Sequence, residues 1–133
     1  MVLSACQTAY DGNGYEAELG FGGLAVQTGV KSALASLWEV DDIGTFALMG
    51  AFYDALRGDA NPTIKAEALR QAQLAMLDNQ VRVENGYVYY SATAAPVPLP
   101  AELNIEVASK AGLTMDLSHP FYWAGFTMIG SPW

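Results

Sequence analysis

Val2-Leu3-Ser4-Ala5-Cys6-Gln7-Thr8-Ala9 begins the chain with a short apolar run that carries its one cysteine. Val2, Leu3 and Ala5 suit a buried strand, and the run breaks at once into Tyr10-Asp11-Gly12-Asn13-Gly14, a cluster of turn formers. This pattern predicts a thiol at the C-terminal end of a strand. In α/β sheets that end is where loops hold reactive groups in a crevice outside the sheet edge. Cys6 is therefore a candidate nucleophile, weighed against the commoner role of a single cysteine as a small buried hydrophobe.

Working outward, Gly20-Phe21-Gly22-Gly23-Leu24-Ala25-Val26-Gln27-Thr28-Gly29 reads as a glycine-rich loop entering a short helix that Gly29 closes. The mostly apolar segment Val30–Trp38 follows as a second strand, parallel to the first, because a strand–helix–strand crossover returns with the same hand and direction. Cys6 and Trp38 are then expected on the same sheet rim. Immediately after come Glu39-Val40-Asp41-Asp42, in front of a helical pattern with Ile43, Phe46, Ala47, Gly50, Tyr53 and Leu56 on one face. Either aspartate is able to cap that helix. A further helix is expected from Asn61-Pro62, with Ile64, Ala68, Ala72, Ala75 and Met76 as its buried stripe.

From Asp78 the texture changes. Val81-Arg82-Val83-Glu84-Asn85-Gly86-Tyr87-Val88-Tyr89-Tyr90 carries an Asn-Gly turn between alternating segments, the signature of a two-residue hairpin. Its register pairs Val83 with Val88 and puts Arg82, Glu84, Tyr87 and Tyr89 on the opposite, open face. The stretch Ala92 to Pro100 holds Pro96, Pro98 and Pro100, which predicts an arm lying extended over the surface with no ladder of its own. Ala101 to Lys110 is compatible with a short strand or a helix. Trp123 to Ile129, aromatic and apolar between glycines, reads as a buried last strand.

Composition limits the function classes. A chain of 133 residues is one domain by length, able to bury roughly two thirds of its unfolded surface. Fourteen acidic against six basic residues give a formal charge of −8, which repels phosphate backbones and anionic lipid surfaces, so neither nucleic acid nor membrane is an expected partner. One cysteine forms no internal disulfide, and no apolar run reaches the roughly 18 residues of a membrane span, so a reducing, cytoplasmic setting is expected. One histidine and one cysteine are too few for the usual metal site, and the glycine loop lacks the lysine of a phosphate cradle. No metal and no cofactor is therefore predicted.

Four stretches resemble the CHAT domain, a bacterial caspase-like and separase-like cysteine peptidase family often joined to TPR repeats. They are Leu3-Ser4-Ala5-Cys6-Gln7-Thr8-Ala9-Tyr10, then Gly22 to Trp38 with Glu39-Val40-Asp41-Asp42, then Ala66-Glu67-Ala68-Leu69-Arg70-Gln71-Ala72-Gln73, and last His119-Pro120-Phe121-Tyr122-Trp123-Ala124-Gly125-Phe126. The cysteine and His-Pro-aromatic-Tyr-Trp motifs are specific in combination. The resemblance implies an α/β fold, a caspase-like three-layer α/β/α sandwich that is incomplete on its N-terminal side. Residues 1–133 would be the C-terminal portion of a single such domain, with a hairpin and proline-rich insertion at residues 78–117.

By the same resemblance, Cys6 is the thiol that attacks a peptide carbonyl. The acidic loop would read the substrate: Asp42 is assigned to a basic side chain beside the scissile bond, with Asp41 and Trp38 lining the site. The family's catalytic histidine precedes the cysteine strand in a His-Gly motif that these residues do not contain, and His119 is expected to be a packed or hydrogen-bonded imidazole. A cysteine near its free pKa of about 8.5 needs such an imidazole, so the chain by itself is expected to be a poor peptidase. The alternative is a non-catalytic interaction module, binding TPR repeats, another protein or a second copy through an unpaired sheet edge.

Overall fold

The computed structural model describes residues 25–58, 64–90, 95–103 and 114–133. The Cys6 strand, the loop at Gly20–Gly23, the Asn61-Pro62 helix start and the region around Ile105 lie outside these residues. The described part is mixed α/β. Strand β1 (Ser32–Ser36) is followed by helices α1 (Asp42–Gly58) and α2 (Lys65–Leu77), then by strands β2 (Arg82–Glu84), β3 (Tyr87–Tyr89) and β4 (Val97–Pro98). A single 3-10 turn at Pro120–Tyr122 leads into β5 (Phe126–Gly130).

All five residues of β1 are buried. Its side chains are small apart from Leu34, which lets covering elements approach both faces, as a strand inside a layered α/β sheet requires. The expected parallel neighbour lies outside the described residues. The neighbour that is described is β5, antiparallel, with Leu34 opposite Met128 and Ser36 opposite Phe126. The last strand begins at Phe126, three residues later than its apolar pattern predicts, because Trp123, Ala124 and Gly125 turn the chain into it.

Helices α1 and α2 pack against each other, and Leu34, Leu48, Phe52, Leu69, Met76 and Phe126 share one hydrophobic cluster. The buried stripe of α1 is rotated from its expected position. Ile43, Ala47, Leu48, Ala51 and Phe52 face the core, whereas Tyr53 is 47% exposed. The cause is the second helix: packing α2 on one flank of α1 decides which part of a broad apolar band is covered. Helix α2 starts at Lys65 after an extended Ile64 that gives no side-chain cap, and buries Ala68, Leu69, Ala72 and Met76, with Ala75 only half-buried. It stops at Asp78, where Asn79 takes φ +56° and the following amides return to the carbonyls of Ala75 and Met76.

The hairpin follows its local code. Asn85 and Gly86 both have positive φ, +52° and +79°, and Val83 pairs with Val88. Val81, Val83 and Val88 are fully buried, while on the other face Arg82 meets Glu84 at 3.5 Å and sits 4.7 Å over the Tyr89 ring. The proline arm corrects the sequence reading. Val97–Pro98 adds to the hairpin as a third strand, antiparallel to β3, and the Leu99 amide donates to the Gly86 carbonyl at 2.9 Å. Proline is compatible with a ladder at an edge position, where its missing N–H faces outward. Residues 101–103 turn helical after Pro100. Across β2, Met115 bridges to Val83, and Leu99 and Leu117 join the same core cluster as β1 and α1.

Leu99 is 5% exposed. Leu99→Ala should therefore lower unfolding free energy by about 2–4 kcal/mol in a denaturant titration; a loss below about 0.5 kcal/mol, as for a surface arm, would contradict its place in the core. On the outer face of α2, hydrogen bonds from the Arg70 guanidinium at 2.7 and 2.6 Å, then one from Gln71, pull the Glu67 carboxyl from 4.5 down to about 2. A depressed acid contributes above its ordinary value and loses that contribution as pH falls through its folded one. Carbon-detected titration of Glu67 should accordingly show a midpoint near 2 in the protein and a clear rise toward the ordinary value of 4.5 in Arg70→Ala.

Candidate functional site

The acidic loop leaves the C-terminal end of β1, and its geometry follows from what each residue must satisfy. Leu37 donates its amide to the Gly125 carbonyl at 2.8 Å, extending the β1–β5 contact one step past the ladder. The half-buried Trp38 indole donates through Nε1 to the Phe121 carbonyl at 3.2 Å and packs closely against Gly125. A Cβ built on Gly125 would stand 2.7 Å from Trp38 Cε2, so a larger residue there would push the indole away. Val40 is buried beneath the loop, and Glu39 is exposed.

The two aspartates are separated by helix capping. Asp41 Oδ2 accepts the Gly44 amide at 2.7 Å, while the Asp41 carbonyl receives the Thr45 amide and hydroxyl, each at 2.8 Å. These are the bonds of an N-cap residue, which satisfy donors that a helix start leaves free. Asp42 is the first residue of α1 and is exposed, and no hydrogen bond or ion pair engages its carboxylate among the described residues. The sequence permitted either aspartate to cap; the fold assigns the task to Asp41 and leaves Asp42 able to meet a cation.

The segment Ser118–Gly125 forms the opposite wall. His119 is exposed and caps the 3-10 turn, its Nδ1 accepting the Phe121 amide at 3.2 Å. That bond occupies Nδ1. His119 is thus a turn-capping residue, as its motif implies. Next to it, hydrogen bonds from the Ser118 side chain and amide hold the Asp116 carboxyl below the usual range. The Tyr122 ring covers Gly44 at the start of α1, close enough that a Cβ there would lie 2.9 Å from its Cδ1.

Of the residues singled out by sequence, Trp38, Asp41 and Asp42 share this loop, and Cys6 lies outside the described residues. Sequence reasoning missed Gly44, Phe121 and Gly125 as parts of the wall. Gly125 sits within the aromatic-rich run at residues 121–126, a pattern that signals close approach, whereas the surroundings of Gly44 carry no such signal. A cavity of about 850 Å³ lies elsewhere, between α1 and the hairpin arm, bounded by Phe46, Met49, Tyr53, Tyr90 and Val97. Burial, then the nearby Asp54 charge, raises the Tyr90 phenol there. Among the described residues no cluster of three or more His, Cys, Asp or Glu side chains is arranged to hold a metal ion, and no helix is long and apolar enough to cross a membrane.

The division of labour between the aspartates predicts unequal variants. Asp41→Ala should cost about 1 kcal/mol of stability for the lost cap, and Asp42→Ala less than about half of that, both read from denaturant midpoints. Equal losses would mean that the cap is shared.

Comparison with curated proteins and with solved structures yields no match. The family model of the CHAT domain matches residues 1–131, which includes the cysteine stretch, the acidic loop and the closing aromatic motif. With nearly its whole length matched, the chain belongs to the CHAT domain family of caspase-like peptidases.

Proposed function

We propose that the chain is the nucleophile-bearing and substrate-reading portion of a cysteine-type endopeptidase that cleaves after a basic residue. The observation that carries this reading is the Asp42 carboxylate, unengaged among the described residues and held at the start of α1 by a cap that uses Asp41 instead. A carboxylate in that position pairs with a guanidinium through two parallel hydrogen bonds and disfavours uncharged side chains, which would leave it partnerless in the complex. The family match supports the assignment of Cys6 as nucleophile.

In this reading the Cys6 thiolate adds to the scissile carbonyl carbon and the carbonyl oxygen takes up the negative charge. The Cys6 backbone N–H is one donor to that oxyanion. Collapse breaks the C–N bond, the departing amine takes a proton from an imidazole, and water then hydrolyses the thioester to return the free thiol. The chain's one histidine caps a turn, so the imidazole comes from a segment outside these residues. The isolated chain is accordingly inactive, and its partners are that segment and a protein substrate.

An arginyl acyloxymethyl ketone should label Cys6 when the chain is completed with a histidine-bearing CHAT segment, and label the isolated chain far more slowly. Asp42→Ala in the completed protein should lose about 10- to 100-fold in labelling rate, the value of a charge-assisted hydrogen bond, with alkylation by iodoacetamide unchanged. Absence of labelling in the completed protein sinks the peptidase reading and leaves a non-catalytic interaction module in its place.

A further inference from the structure

Gln73 projects from the middle of α2 toward the far wall of the acidic loop. Its side-chain amide donates from Nε2 to two carbonyls, Trp123 and Phe126, each at 3.1 Å. These carbonyls bracket the turn that feeds β5, and the Phe126 amide itself returns to the Trp123 carbonyl at 3.3 Å. One half-buried side chain therefore closes both ends of residues 123–126 against a helix. The turn it closes contains Gly125, whose carbonyl takes the Leu37 amide and whose bare backbone receives the Trp38 indole.

The same wall continues through Phe121, the acceptor for Trp38 Nε1, and Tyr122, which covers Gly44. Gly44 is the residue whose amide Asp41 caps. From Gln73 to Asp42 the links are thus a clamp on the turn, three contacts from the turn and its flank onto the loop, and the cap that sets where α1 begins. A carboxylate that must meet a planar guanidinium in two hydrogen bonds tolerates little displacement, so the rigidity of its support determines how well it binds. The loop's own sequence supplies no such support. Glu39 and Leu37 are exposed, and beyond Val40 the loop is held by the contacts just described.

We propose that Gln73 is a positioning residue for substrate recognition, acting through the Trp123–Phe126 turn and Trp38 to hold Asp42 in place. The role rests on the reading of Asp42 as the group that meets the basic side chain. Gln73 touches no substrate itself, and its effect falls on binding rather than on the chemistry of the thiol.

The test measures labelling of the completed protein by the arginyl acyloxymethyl ketone over a range of concentrations, which separates half-saturation from maximal rate. Gln73→Met, close in size but without donors, should raise the half-saturation concentration about tenfold, with maximal rate and iodoacetamide alkylation within about twofold of the parent. Hydrogen exchange at the Leu37 amide should accelerate in the same variant. Trp38→Phe, which keeps a ring and removes the Nε1 donor, should likewise raise half-saturation and accelerate Leu37 exchange, and the double variant should fall short of the product of the single effects. If Gln73→Met folds poorly, Trp38→Phe and its Leu37 exchange decide the matter.

An unchanged half-saturation with unchanged exchange overturns the positioning role, as do multiplicative effects in the double variant. A parallel loss of maximal rate and alkylation overturns it in favour of general destabilisation. A parent protein that the ketone never labels overturns the peptidase reading instead, and this role in recognition with it.

Discussion

A strand with every side chain buried needs cover on both faces, and β1 imposes that demand on the rest of the described structure. Serine and alanine at four of its five positions keep the strand thin, so Leu34 meets α1 and α2 in one cluster while the backbone pairs with β5. The ladder then brings the start of β5 beside the end of β1. Leu37 continues the pairing to Gly125, and every later contact of the acidic loop is built on that juxtaposition. Burial of a few small residues thus sets the position of a loop whose own residues are largely polar.

Two adjacent, identical side chains of the loop are held unequally. Asp41 is bound to the Gly44 amide and Asp42 is not. The difference comes from where α1 begins, and that point is set by the Tyr122 ring on Gly44 and the Trp38 indole on Gly125 as well as by the cap itself. Aromatic residues serve here as spacers. Each lies against a glycine because only a missing side chain permits so close an approach, and the indole adds a directional bond to the Phe121 carbonyl. The histidine of the same motif belongs to this scaffold, its Nδ1 engaged by the Phe121 amide.

The hairpin shows how much of the fold a local pattern controls. Asn85-Gly86 dictates two positive φ angles, and the alternation of valines dictates which face is buried, so turn, register and faces were all readable. The arm after it was not. Pro96, Pro98 and Pro100 argue against a ladder in isolation, but β3 offers an unpaired edge, and Leu99 gains burial by following it. The stripe of α1 was misjudged for a similar reason. A band with apolar residues over most of its circumference has several equivalent faces until a second helix selects one.

The amino-acid sequence by itself determined the mixed α/β class, the family, the hairpin with its register and the buried strand before the acidic loop. Each depends on interactions among neighbours in the chain or on motifs whose spacing is explicit. Tertiary structure alone decided which aspartate caps α1, that β5 pairs with β1, that the proline arm becomes a strand, and that Gln73 reaches across to the turn beside Trp38. The β1–β5 pairing and the bonds from Gln73 to Trp123 and Phe126 join residues 50 or more positions apart in the chain. Contacts of that kind leave no local periodicity, because their partners are selected by packing and not by spacing.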